Sequence, residues 1–215
     1  MTTHRDRATQ NSRRLLTVLV ALYGLFWVWL AIEPVNRRDW LLENLLVFAF
    51  LPVLLVTARR FEFSLASYLL ILAFLILHGF GAHYTYAEVP LGFWLKDWLG
   101  LSRNPFDRLA HFAYGAFLAY PIRELLVRRA ALTGWWSYAI PVCIVLAQSG
   151  FFEVAEAIVA VIVSPELGGV YLGTQGDEWD AQHDMGAAFI GALIAMLLAA
   201  ALRAGRAACG SATAS

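Results

Sequence analysis

Long apolar stretches alternate with short polar connections along most of this chain. A helix that crosses a membrane needs about 20 mostly apolar residues, because each residue adds about 1.5 Å across a hydrocarbon core of about 30 Å. Six stretches meet this requirement, and they run over residues 15–32, 40–57, 64–82, 107–127, 137–163 and 180–202. The pattern therefore predicts an all-α protein, a polytopic membrane helix bundle of about six transmembrane helices.

The connection between the third and fourth stretches has a helical pattern of its own. Its apolar residues recur every three or four positions, and Lys96 and Asp97 fall on the opposite face. These apolar residues are Leu91, Trp94, Leu95, Trp98 and Leu99. The spacing predicts a short amphipathic helix that lies in the membrane interface with its tryptophans at headgroup level. Such a helix is either a plain aromatic belt or a platform for substrate entry.

The arginines predict the orientation of the bundle. Pairs of arginines fall in the connections at one end, which is typical of the cytoplasmic side. These are Arg13 and Arg14, Arg59 and Arg60, Arg128 and Arg129, and Arg203 and Arg206, whereas Arg37, Arg38, Lys96, Arg103 and Arg108 fall at the other end. We therefore expect a cytoplasmic N-terminal segment over 1–14, a transmembrane domain over 15–204 and a disordered cytoplasmic tail over 205–215.

Composition agrees with a membrane protein and excludes some functions. Hydrophobic residues make up 60% of the chain and its mean hydropathy is +0.63, above the values of soluble domains. Lys plus Arg and Asp plus Glu number 16 each, so no basic surface is available for nucleic acid. Cys143 and Cys209 lack the spacing of a metal or redox motif, which argues against thiol chemistry.

Ionisable side chains from several spans converge near the predicted outer face. Pairs separated by four residues, such as Asp107 with His111 and Asp180 with Asp184, occupy one face of a helix. The whole group comprises His78, His83, Asp107, His111, Glu153, Glu156, Asp177, Asp180 and Asp184. Charged groups inside a membrane are costly, so we expect these side chains to face one another or a cavity.

Histidine and carboxylate together form the ligand set of zinc, manganese or iron sites. We therefore expect a divalent metal ion of open identity as the cofactor. The candidate metal ligands are His83, His111, Glu153, Asp177, Asp180 and Asp184, and the candidate catalytic residues are Asp107, His111, Glu153, Glu156 and Asp184. No established metalloprotease, calcium-loop or phosphate-loop motif fixes the reaction.

Three functions fit this convergence, and the sequence leaves them open. The first is an enzyme at the outer interface whose metal activates water. The second is a small-molecule or ion binding or transport protein in which the same groups titrate. The third is a structural network that holds the helices together. A second polar group at the cytoplasmic end, comprising Tyr120, Pro121, Arg123 and Glu124, is interpreted as structural.

Three segments carry a family resemblance that covers nearly the whole chain. They are HGFGAHYTYAEVP over 78–90, NPFDRLAHFAYGAFLAYPIRE over 104–124 and GTQGDEWDAQHDM over 173–185. In these segments the chain resembles the YjdF-like family of bacterial inner-membrane proteins. The resemblance implies a multi-pass protein of the bacterial cytoplasmic membrane with the lipid bilayer as its partner, and it brings no activity with it.

A weaker resemblance is to the VanZ-like membrane proteins. Their pattern of an aspartate and a basic residue before a histidine, a later glutamate and an aspartate on the last helix is matched by Asp107, Arg108, His111, Glu153 and Asp184. Glu156 stands where that pattern often has glutamine, and Ala188 where it often has asparagine. This resemblance implies a cell-envelope lipid or glycan as the substrate class, while the oligomeric state stays open.

Overall fold

The computed structural model describes residues 4–57 and 60–212, and within them it contains nine α-helices and no strand. The helices are α1 His4–Leu30, α2 Arg37–Glu43, α3 Leu45–Thr57, α4 Leu65–His83, α5 Pro90–Leu99, α6 Phe106–Arg129, α7 Trp136–Ile162, α8 Pro165–Leu172 and α9 Asp180–Ala212. The predicted all-α class is confirmed. The amphipathic pattern between the third and fourth stretches does form a helix of its own, α5.

Three of the described helices are long and apolar enough to cross a membrane. They are α4, α7 and the part of α9 from Asp180 to Gly205, and α1 adds a shorter apolar run, Leu16–Leu30. Their outer faces expose large apolar side chains, among them Val161, Ile162 and Leu197. Such surfaces are unfavourable in water and suited to lipid. The structure thus agrees with a membrane protein, while the number of six crossings stays a prediction.

The second predicted stretch is not one uninterrupted helix. A single turn residue, Asn44, separates α2 from α3. Its side chain donates a hydrogen bond to the carbonyl of Trp40 and accepts one from Nε1 of Trp27, both at 2.7 Å. These bonds hold the polar side chain of Asn44 among buried groups at the break. Because α3 alone has 13 residues, it is about 20 Å long and shorter than a typical bilayer core.

The connection between the fifth and sixth predicted stretches contains a short helix, α8. Ser164 caps the start of α8 by accepting a hydrogen bond from the amide of Leu167, and Pro165 occupies the first turn. Gly173 ends the helix in the left-handed region at φ 58°. The serine cap followed by proline at the start and the glycine at the end are the sequence features that mark this short helix.

The last helix is longer than the predicted span. It continues to Ala212, so residues 205–212 are helical in the structure, beyond the predicted end of the span at residue 202. Alanine and arginine, which favour helices, make up much of this segment. Residues 1–3 and 213–215 and the predicted cytoplasmic Arg59 lie outside the described residues.

The tightest packing in the bundle joins α6 to α9 through two glycines. A Cβ at Gly115 would overlap the backbone of Ala188, and a Cβ at Gly191 would overlap the carbonyl of Phe112. Small residues at such contacts let two helix backbones approach closely, which is a common device of membrane bundles. The close approach fixes α6 and α9 side by side, and Ala188 and Ala192 between them are fully buried.

This contact predicts that Gly191→Ala destabilises the bundle. The added methyl group meets rigid backbone rather than a flexible side chain, so the helices must separate, at a cost of about 1–3 kcal/mol. Gly186→Ala on the same helix is the matched control, since no neighbouring atom of a described residue lies within 4 Å of its Cβ position. Thermal unfolding of the detergent-purified proteins should show a lower melting temperature for G191A alone. Equal melting temperatures for the two variants would contradict the packing argument.

Candidate metal centre

Two groups of ligand-type side chains meet where α6 and α9 begin. In the first group His111, Glu153 and Asp184 each place one ligand atom so that all three lie within 4.8 Å of one another. In the second group Asp107, Asp180 and Asp184 do the same. Asp184 belongs to both groups, so the five residues form one continuous cluster contributed by α6, α7 and α9. We call these two sets of residues the metal-type groups.

His111 is held by contacts to both of its ring nitrogens. Its Nε2 lies 3.3 Å from Oε1 of Glu153 and 3.8 Å from Oδ1 of Asp107, while its Nδ1 lies 3.3 Å from Oγ of Ser149. A proton on Nδ1 can be donated to the serine, which leaves the lone pair of Nε2 directed at the carboxylates. In metal sites, the histidine nitrogen that does not bind the metal is typically hydrogen-bonded to a neighbouring group, which orients the ring.

Two carboxylate oxygens in the first group have no hydrogen-bond partner among the described residues. They are Oε1 of Glu153 and Oδ1 of Asp184, and Asp184 is only 2% exposed. A buried carboxylate oxygen without a donor is costly, and native structures usually satisfy such atoms with protein, water or an ion. The unpartnered oxygens therefore fit a bound cation.

Arginines neutralise the opposite edge of the cluster. Arg103 donates a hydrogen bond to Asp180, and Arg108 donates one to Asp177. Nη1 of Arg103 also lies 3.6 Å from Asp177, and Nη2 of Arg108 lies 3.7 Å from Asp180. Both cations face the loop and the first turn of α9, so no arginine pairs with Glu153 or Asp184 among the described side chains.

Asn104 fastens the surrounding loops to one another. This residue is 1% exposed, and its Nδ2 donates to the carbonyls of Ala87 and Val89 while its Oδ1 accepts from the amide of Phe106. Its backbone exchanges two hydrogen bonds with the side chain of Gln175. The start of α5, the start of α6 and the loop before α9 are thus joined at one residue.

Four of the predicted residues lie outside the two groups. Nδ1 of His83 is 2.7 Å from the carbonyl of Leu30, a contact that ties α4 to the end of α1. Nδ1 of His78 is 2.5 Å from the hydroxyl of Tyr86. Asp177 pairs with arginines and with His183, as described below, and Glu156 is buried beside the cluster. The structure therefore does not bring the candidate ligands His83 and Asp177 to the metal-type groups.

The predicted group of converging side chains does not include Ser149, Asp39 or Glu43. Ser149 lies one helical turn before Glu153 on α7, and this spacing of four residues could have revealed it. Asp39 and Glu43 are both buried, at 1% and 5% exposure. Asp39 and Glu43 are four residues apart on α2, so the same four-residue spacing could have revealed them.

Comparison with known proteins agrees with this description of a helical membrane protein. The family described as "Predicted membrane protein (DUF2238)" matches residues 15–205. The chain is 40% identical to "Inner membrane protein YjdF" of Escherichia coli (strain K12) over 191 residues, which cover 88% of each chain. No solved structure matches.

The bundle and its sequence define an integral protein of the bacterial inner membrane. The chain belongs to the DUF2238 family of membrane proteins, and the resemblance to YjdF-like proteins is confirmed. The weaker resemblance to VanZ-like proteins finds no support in these comparisons and stays a prediction.

The contacts of Asp177 predict a pH-dependent loop. The backbone amide of Trp179, and next to it His183 and Arg108, hold the pKa of this carboxyl below its usual range. Because the folded pKa is depressed, the carboxylate stabilises the fold above the unfolded value of about 3.9, and this contribution is lost as the pH falls through the folded pKa. Asp177→Asn should therefore reduce the fall in melting temperature between about pH 5 and pH 3.

The exposed Asp97 on α5 provides the matched control, since no ion pair joins it to a described residue. Asp97→Asn should leave the acid-induced fall in melting temperature unchanged. If the melting temperature of Asp177→Asn falls with pH in parallel with that of the wild type, the stability of the loop does not depend on the charge of Asp177.

Proposed function

We propose that this inner-membrane protein binds a divalent metal ion at His111, Glu153 and Asp184. The observation that carries the proposal is the approach of one histidine and two carboxylates to within 4.8 Å of one another. Zinc, manganese and iron sites use this combination of ligands. The unpartnered oxygens of Glu153 and Asp184 support it, because they leave acceptor positions for a cation.

The proposal includes six crossings with both termini in the cytoplasm. α1, the pair α2 and α3, and then α4, α6, α7 and α9 would provide them. At one end of the bundle Arg128 donates a hydrogen bond to the carbonyl of Glu62 and Arg129 to that of Arg60, so these arginine-bearing connections lie together. The positive-inside rule favours this end as cytoplasmic. The metal-type groups, at the starts of α6 and α9, then face the opposite side.

The metal would supply Lewis-acid activation of water or of a substrate oxygen. Ser149 would keep the Nε2 lone pair of His111 directed toward the ion. Asp107, whose Oδ1 lies 3.8 Å from the same nitrogen, would add negative charge beside the ion. Glu156, buried next to Glu153 on α7, would be available to accept or donate a proton. We propose a cell-envelope lipid or glycan as the substrate class, reached along the exposed tryptophans of α5.

α5 fits such a route from the membrane. Trp94 and Trp98 stack with their ring centroids 5.8 Å apart and are 60% and 70% exposed. Exposed tryptophans in this number are typical of helices that lie at the headgroup level of a bilayer. Asn104 connects the same helix to the loop that precedes the metal-type groups.

A structural network is the second candidate, and the arginine pairs favour it. Arg103 with Asp180 and Arg108 with Asp177 join the segment before α6 and its first turn to the start of α9. Buried charge-assisted pairs of this kind hold elements in a defined arrangement, and removing one partner is strongly destabilising. In this view the cluster positions helices and needs no metal.

Elemental analysis of the purified protein separates the two candidates. We expect close to one equivalent of a transition metal in the wild type and its loss in His111→Ala and Asp184→Asn, because each variant removes one of three ligands. Glu178→Gln is the matched control, since this exposed acid lies in the same segment but outside both groups. Chelation should lower the melting temperature of the wild type and of E178Q, because an ion that binds the folded state stabilises it and a chelator removes that stabilisation.

A metal-free wild type whose melting temperature is insensitive to chelators and to added zinc or manganese would contradict the metal proposal. The structural candidate would then be tested by Asp180→Asn, which removes a partner of Arg103. It predicts a marked fall in melting temperature for this variant, whereas an unchanged value would exclude it.

A further inference from the structure

A second polar region lies at the opposite end of the bundle, around a cavity of about 440 Å³. Four helices contribute to its wall: α4, α6, α7 and α9. The lining consists of Ala66, Leu70, Tyr120, Arg123, Tyr138, Ala199, Leu202 and Arg203. Its two charged residues are both arginines and its other polar side-chain groups are two tyrosine hydroxyls, so no carboxylate lines it within the described part of the chain.

Arg123 is fixed in this wall without a neutralising partner. Its guanidinium lies 4.2 Å from the ring centroid of Tyr138, and its Nη2 is 3.4 Å from Oγ of Ser137. Its Nε is buried and makes no hydrogen bond, and no carboxylate pairs with it among the described residues. A guanidinium held over an aromatic ring keeps its remaining donors free for an anion.

The nearest acid in sequence, Glu124, is engaged elsewhere. Its carboxylate accepts hydrogen bonds from Ser64 and Ser67 at the start of α4 and from Arg128 one turn along α6. Adjacent residues on a helix point about 100° apart, so Glu124 faces α4 while Arg123 faces the cavity. Glu124 therefore does not neutralise the positive charges that Arg123 and Arg203 bring to the cavity.

We propose that this cavity binds the phosphate of an anionic phospholipid. Arg123 and Arg203 would contact the phosphate oxygens, since guanidinium groups match phosphate in geometry and charge. The tyrosine hydroxyls would bind the glycerol, and the apolar Leu70 and Leu202 would contact the start of an acyl chain. Basic pockets between transmembrane helices are known to recognise anionic headgroups. A soluble anion would gain nothing from these apolar walls.

Native mass spectrometry of the full chain in detergent tests this site. The protein is offered equal amounts of phosphatidylglycerol and phosphatidylcholine, and the ratio of the two adducts is measured with and without inorganic phosphate. Arg123→Gln should lower the preference for phosphatidylglycerol by about fivefold, the value of one arginine near a charged headgroup. Arg203→Gln gives the same test at an exposed position where loss of folding is not expected.

Arg129→Gln is the matched control. It removes the same charge at the same end, but Arg129 contacts Phe61 and the carbonyl of Arg60 and does not line the cavity. Its adduct ratio should stay close to the wild-type value. Equal losses in R123Q, R203Q and R129Q would overturn the site in favour of general surface charge. Displacement of the lipid by equimolar inorganic phosphate would overturn the lipid as its ligand.

Discussion

The close approach of α6 to α9 is the contact on which the rest of the bundle depends. Gly115 and Gly191 leave room for backbone against backbone, and the neighbouring alanines are fully buried. With these axes fixed, the first turns of both helices stand side by side, and α7 closes the third side with Glu153. A separation of α6 from α9 by the width of one methyl group would lengthen the distances from Asp107 and His111 to Asp184, whose ligand atoms now lie within 4.8 Å of one another.

Much of this architecture could be predicted from local patterns. Apolar length located α4, α6 and α7 to within a few residues, and the four-residue spacing of Asp107 with His111 and of Asp180 with Asp184 placed each pair on one face. The errors have physical causes. Asn44 interrupts the second stretch because its side chain bonds to Trp27, a contact across 17 positions that no local pattern contains. His83 was predicted as a metal ligand only from its depth in the membrane. Depth cannot reveal that its ring contacts the carbonyl of Leu30.

Charge in this protein is divided between two ends with different chemistry. At the metal-type groups, carboxylates outnumber the arginines that reach them, so the local excess is negative. At the opposite cavity, no carboxylate of the described residues lines the wall with Arg123 and Arg203, so the local excess is positive. Each unbalanced charge is expensive within a low-dielectric bundle unless a ligand or counter-ion of the opposite sign is bound. A cation at one end and a phosphate at the other would resolve both imbalances without any change in the fold.

Asn104 has a mechanical consequence. Its side chain holds the start of α5 through the carbonyls of Ala87 and Val89, and its backbone holds Gln175 in the loop before α9. α5, with its exposed tryptophans, and this loop are therefore joined through one residue. A displacement of α5 would have to break these hydrogen bonds or carry the loop before α9 along with it. The position of an exposed helix and that of the buried carboxylates at the start of α9 are thus not independent.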